Sequence, residues 1–163
     1  MSFVRMDRAA WRKRATLLTG LAFGAALTAA GDVRYVDALD LSGSYNGRGD
    51  RTGVRQAVGG TPLTVAEKVF ARGIGTRAEG AVGFRLDGRA TAFEARVGVD
   101  DCARGLKRGS RQVQMVFRVW ADGKVVWRSP SLREGMRPVE VRVGLAGVRE
   151  LVLETSSDAP WAA

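Results

Sequence analysis

The stretch from Gln112 to Ser129 (QVQMVFRVWADGKVVWRS) restricts the fold more than any other part of the chain. Side chains alternate along its first half. Val113, Met115, Phe117 and Val119 face one way, and Gln112, Gln114, Val116, Arg118 and Trp120 face the other. A period of two belongs to an extended strand with one buried face. Asp122-Gly123 follows, a dipeptide suited to the positive φ angles of a two-residue hairpin, and Lys124–Ser129 makes the return strand. One hairpin cannot bury its own apolar face, so further strands are required.

The rest of the chain supplies them. Ala81–Leu86 sets Val82, Phe84 and Leu86 opposite Arg85, and Asp87-Gly88 marks a turn. Phe93–Val99 places Phe93, Ala95, Val97 and Val99 on one side. Pro138–Leu145 alternates through Val139, Val141 and Val143, and Glu150–Thr155 offers Leu151 and Leu153. Val33–Leu41 reads as a first short strand, and Pro62–Phe70 carries β-branched residues around a turn at Ala66-Glu67. Two longer loops remain, Ser42–Gly60 and Asp100–Arg111. Turns that recur about every ten residues, with no helical period between them, predict an all-β fold: a sandwich or jelly roll.

Residues 1–30 read differently. A basic segment with Arg5, Arg8, Arg12, Lys13 and Arg14 precedes an uncharged apolar run, Ala15–Ala30, ending in small residues. That pattern predicts a signal-peptide helix cut after Ala30, leaving residues 31–163 as the domain. The alternative is an uncleaved membrane anchor, but the run is shorter than the roughly 20 residues that span a bilayer. Localisation is therefore expected in the cell envelope or outside the cell, periplasmic or secreted.

The net charge of +9 invites a nucleic-acid reading. Five of the basic residues and one acid lie in residues 1–30, however, leaving 21 basic and 16 acidic side chains mixed over the rest. No basic helix or basic-aromatic stripe accompanies them, so no nucleic-acid partner is expected. The chain has no histidine and one cysteine, Cys102. These counts exclude a Ser-His-Asp triad, a Cys-His pair, His-based metal sites and an internal disulfide. Cys102 reads as a free thiol, inert or an intermolecular crosslink. Gly73-Ile74-Gly75-Thr76 contains GxG, but no third glycine and no helix pattern follow, so it is a bend and not a nucleotide fingerprint. Arg48-Gly49-Asp50, the adhesion tripeptide, is common by chance.

Asp100 and Asp101 are adjacent carboxylates in a loop. They suit a structural calcium, which takes oxygen ligands, or a turn cap paired with Arg104 or Lys107. They are poor glycosidase candidates, because neighbouring extended residues point to opposite faces. No enzyme and no required cofactor are expected. Three tryptophans lie beyond residue 31: Trp120 and Trp127 in the hairpin, where packing at the sandwich edge accounts for them, and Trp161 near the end.

Taken in order, YVDAL, PLTVAEKVFARGIGTRAEGAVGFRLDG, FEARVGVDD, VFRVWADGKVVWRS and VRELVLET resemble the NPCBM family of carbohydrate-binding modules over about residues 33–161. The resemblance implies a galactose-binding-like β-sandwich, secreted, that holds polysaccharide or cell-wall glycan without catalysis. A separate secreted enzyme or envelope protein is an implied partner, and a membrane only if the leader is uncleaved. The alternative is an envelope protein–protein interaction domain that binds no sugar. Where the family usually has a histidine after the GxGT bend, this chain has Arg77; where the family has an Asp, His and Trp segment, this chain has Ser156–Trp161. Carbohydrate contacts are expected at Arg77, Glu79, Asp101, Asp158 and Trp161, since aromatic planes stack on sugar rings and charged groups bond hydroxyls.

Overall fold

Alternation along the strands requires two sheets that face each other across a shared core, and the computed structural model has that arrangement. It describes residues 26–29, 32–46, 51–105, 107–108 and 111–157. The strands are β1 (Ala26–Ala29), β2 (Asp32–Tyr35), β3 (Tyr45–Asn46), β4 (Gly53–Val54), β5 (Leu63–Val65), β6 (Lys68–Phe70), β7 (Ile74–Gly75) and β8 (Gly80–Arg85). They continue as β9 (Ala92–Val97), β10 (Lys107–Arg108), β11 (Arg111–Gln112), β12 (Gln114–Ala121), β13 (Lys124–Arg128), β14 (Leu132–Arg133), β15 (Val139–Gly144) and β16 (Glu150–Ser157). One sheet runs β15-β9-β1-β2; the other runs β13-β12-β16-β8-β3, with β14 paired to β12. Among the described residues there is no α-helix, only two 3₁₀ turns.

The expected inward faces meet in one cluster. Phe93, Ala95 and Val141 from the first sheet pack with Val82, Phe84, Val119, Ala121 and Leu151 from the second. The register keeps them in line: Leu151 sits opposite both Phe84 and Ala121, and Ala95 sits opposite Val141. A one-residue slip would turn each strand inside out, so this burial holds the pairing. The Asp122-Gly123 turn has φ angles of 46° and 78°, the positive pair that a two-residue hairpin needs. Trp127 packs against the core, as its edge position predicts.

The first strand is shorter than Val33–Leu41. Strand β2 stops at Tyr35 and a 3₁₀ turn covers Val36–Ala38. Val36 and Asp37 are both buried, which an alternating strand cannot do with consecutive residues. Asp37 turns in because Arg55 Nε donates to it at 2.7 Å and Arg72 Nη1 at 3.2 Å. The Arg72 guanidinium also lies 4.3 Å from the centre of the Tyr35 ring.

The Ser42–Gly60 loop carries β3 and β4, and β4 pairs with β7 at the GIGT bend. Arg48-Gly49-Asp50 lies outside the described residues. So do residues 1–25 of the expected signal segment and Asp158 and Trp161 among the expected ligand contacts. Ala26–Ala29, on the leader side of the expected cut, form β1 between β9 and β2.

Candidate functional site

One end of the sandwich carries Arg77 and Glu79, two of the expected contacts. The chain leaves β7 at Gly75, passes Thr76 and Arg77, turns at Ala78-Glu79 and enters β8 at Gly80. Asn46, at the end of β3, fastens this turn from one side. Its Oδ1 accepts from Thr76 Oγ1 at 2.7 Å and from Arg77 N at 2.8 Å. Thr155 on β16 fastens it from the other side, donating its Oγ1 hydroxyl to the Arg77 carbonyl at 2.7 Å. Glu79 sits at φ 58°, and its Oε1 accepts from Ser157 N and Ser157 Oγ, both at 3.1 Å. Gly80 is required here: a Cβ would press into Thr76 Oγ1 and lie 2.8 Å from the Arg77 carbonyl.

The result is a backbone held rigidly under an exposed Arg77 side chain. The turn rests on the sandwich through Ala78, which packs against the small cluster of Val99, Met115 and Leu132. Glu79 thereby ties the turn to Ser157, the last residue of β16.

The loop after β9 lies beside them. The Arg77 guanidinium acts on the Cys102 thiol, lowering its pKa, but loses to three opposing effects. Partial burial of the sulfur is the largest, followed by the hydrogen bond to Asp100 and the charge of that carboxylate; together they push the thiol up to about 11. Cys102 is exposed as a residue, and these effects hold its thiol protonated at neutral pH.

Asp100 and Asp101 act mainly on the backbone. Asp100 accepts from Thr64 N and Cys102 N, each at 2.8 Å. Asp101 accepts from Ala66 N at 3.1 Å and Glu67 N at 2.8 Å. Ala66 and Glu67 form the β5–β6 turn with φ angles of 48° and 66°, a conformation costly for residues with a Cβ. Asp101 therefore holds a strained hairpin. Its partners are backbone amides of that turn. Arg104 pairs instead with Glu134 at 3.2 Å. Among the described residues no group of three His, Cys, Asp or Glu side chains could hold a metal ion.

Sequence reasoning missed Tyr45 and Asn46. Tyr45 is 62% exposed, and it adjoins the Asn46 clamp under Arg77. Asn46 is 4% exposed, and its Nδ2 is buried with no hydrogen-bond partner. No periodic signal flags a two-residue strand inside a polar loop. Trp120 was placed on the outward face correctly, but its partner was not foreseen: its indole N–H donates to Glu154 Oε2.

A family model described as the NPCBM/NEW2 domain matches residues 32–160. The chain belongs to this family. Solved structures with the same fold include CBM51 from Clostridium perfringens GH95 in complex with methyl-galactose. It is 22% identical with a TM-score of 0.65, and the match covers 76% of this chain and 86% of that one. The tandem CBM51 modules of a Streptococcus pneumoniae family 98 glycoside hydrolase align at 21% identity and a TM-score of 0.64, over 92% of this chain and 49% of theirs. CBM51-2 of Clostridium perfringens ZmpB, in complex with GlcNAc, aligns at 20% identity and a TM-score of 0.66, over 77% of this chain and 27% of that one. In sequence, the NPCBM domain is 29% identical over 108 residues to a Renibacterium salmoninarum protein named "Putative endo-alpha-N-acetylgalactosaminidase". That match takes in 66% of this chain and 7% of the relative's length.

Proposed function

We propose that this NPCBM domain is a non-catalytic carbohydrate-binding module whose site lies at the Arg77 end of the sandwich. The observation that carries the reading is the three-sided clamp on one turn. Asn46, Thr155 and the Glu79–Ser157 contact hold the backbone so that the Arg77 side chain stands in solvent on a rigid base. A guanidinium on a fixed backbone donates to several sugar hydroxyls at once without the cost of ordering the turn. Tyr45 supplies an aromatic surface beside it, and Asp158 and Trp161 follow directly on Ser157. The methyl-galactose and GlcNAc complexes of structurally similar modules support a glycan as the ligand class. The basic, then apolar, N-terminal segment supports export, and glycan outside the cytoplasm is the natural target.

The test is retention of the purified protein on a panel of insoluble polysaccharides and cell-wall material at low and high salt. Arg77→Ala and Trp161→Ala are run alongside. Retention that survives high salt and falls in either variant is the expected result. Retention that disappears with salt alone reflects only the basic surface, and with it the site assignment fails. Absence of any retention favours a protein partner instead.

A further inference from the structure

We infer that the outer face of the six-stranded sheet is a platform for an extended, neutral glycan chain, continuous with the Arg77 end. The inference rests on the carbohydrate-binding reading above and extends it from one end contact to a path.

The register defines the path. Tyr45 on β3 stands opposite Ala81 on β8, Ala81 opposite Glu154 on β16, and Glu154 opposite Arg118 on β12. These residues share the outward face, because Val82, Leu153 and Val119 beside them pack into the core. The next outward row is Gly83, Val152 and Trp120. Aromatic side chains therefore flank a low floor. Between Tyr45 and Trp120 the β8 strand contributes only a methyl group at Ala81 and a hydrogen at Gly83. A Cβ at Gly83 would meet nothing nearer than Val152 Cγ2, at 3.9 Å.

The polar groups on this floor are ordered in advance. Arg118 Nη1 donates to Glu154 Oε1 at 2.9 Å and to Ser156 Oγ at 2.8 Å, and Trp120 Nε1 donates to Glu154 Oε2. The side chains of Arg118 and Glu154 remain 25% and 27% exposed. Their charges offset each other, so the centre of the floor offers fixed donors and acceptors, with the exposed Arg128 opposite Arg118 at its β13 edge. That combination suits hydroxyl-rich neutral chains and suits a polyanion poorly. Three strand spacings separate Tyr45 from Trp120, about 14 Å across the sheet. A single pyranose ring cannot touch both, but a chain of several can. Tyr45 adjoins the clamp under Arg77, so the path begins where the end site lies.

Binding should then depend on chain length. The probes are methyl-galactose, GlcNAc and neutral oligosaccharides of galactose, GlcNAc or glucose with one to six units, titrated into the full chain by calorimetry. Affinity for the six-unit member of the bound series should exceed that for its monomer by tenfold or more, since each aromatic platform adds up to about tenfold. Trp120→Ala should remove most of that gain and leave monomer affinity unchanged, and Tyr45→Ala should reduce the gain and weaken the monomer as well. Trp120→Phe, which keeps a ring and loses the indole N–H, should retain most of the gain. Arg77→Ala should weaken monomer and hexamer alike. A hexamer bound no more tightly than its monomer overturns the platform alone. So does a length dependence that survives both alanine variants. Failure of every probe to bind a folded chain overturns the carbohydrate reading and the platform with it.

Discussion

Replacing Asp101 by alanine tests whether this carboxylate serves the fold or the ligand. The side chain accepts from Ala66 N at 3.1 Å and Glu67 N at 2.8 Å, across 35 and 34 residues of sequence. Both turn residues have positive φ, which costs about 1–2 kcal/mol for each residue carrying a Cβ. Two hydrogen bonds to a charged acceptor offset that cost. In this half-exposed setting each contributes about 1 kcal/mol net. Asp101→Ala should therefore destabilise the domain by about 2 kcal/mol, and Asp101→Asn, which keeps one acceptor oxygen, by about half as much. For a domain of this size the alanine variant should melt about 6 °C lower. Calorimetric or circular-dichroism melting measures the shift, and glycan titration well below the midpoint measures binding. The expected outcome is a lower midpoint with unchanged affinity. A midpoint within about 1 °C of wild type refutes the reasoning, and lost affinity at an unchanged midpoint returns Asp101 to the ligand site.

Other perturbations read other parts of the structure. In Gly75→Ala the new Cβ would lie 2.5 Å from the Gln56 carbonyl and 2.8 Å from Ala57 Cα, both backbone atoms. Urea unfolding should report a loss of about 1–3 kcal/mol. Asp37→Asn leaves Arg55 and Arg72 facing a neutral amide at a fully buried position. A loss of about 2 kcal/mol is expected, below the cost of a fully buried pair because both arginines keep some water; an unchanged midpoint would deny the pair a structural role. Cys102 should alkylate slowly with iodoacetamide at pH 7.5 and accelerate until about pH 11, where the thiol ionises. Asp100→Asn removes the charge that holds the proton on, so the rate profile should shift to lower pH.

The long strands were legible in the sequence because their signal is local. Met115, Phe117, Val119 and Ala121 take the core side of β12, and Phe93, Ala95 and Val97 do the same from β9, because a half-buried strand must alternate. The short strands β3, β4 and β7 were not legible. Two residues carry no period, and the β4–β7 pairing depends on the close approach of Gly53 and Gly75 to the Gln56 carbonyl. The end of Val33–Leu41 was misplaced for a related reason: Asp37 is drawn inward by Arg55 and Arg72, which lie 18 and 35 residues further on. The same limit applies to the site. Arg77 and Glu79 could be picked out from the bend that precedes them, but the clamp from Asn46 and Thr155 spans up to 78 residues. Asp101 illustrates the converse. Its residue type suited a sugar contact, and only the position of the β5–β6 turn revealed its backbone partners.

The strand order of the larger sheet constrains how the domain comes into being. Strand β16 lies between β12 and β8, and its outward Glu154 and inward Leu151 and Leu153 join the two halves. During synthesis, β3, β8, β12 and β13 are all made before the strand that connects them. Until residues 150–157 emerge, β8 and β12 have no central neighbour and their apolar faces have no completed layer. Such a chain closes its sheet late and through contacts distant in sequence, so completion of the fold waits on the synthesis of residues 150–157. A fragment cut short before residue 150 would lack the strand that joins β8 to β12 and should not assemble the larger sheet.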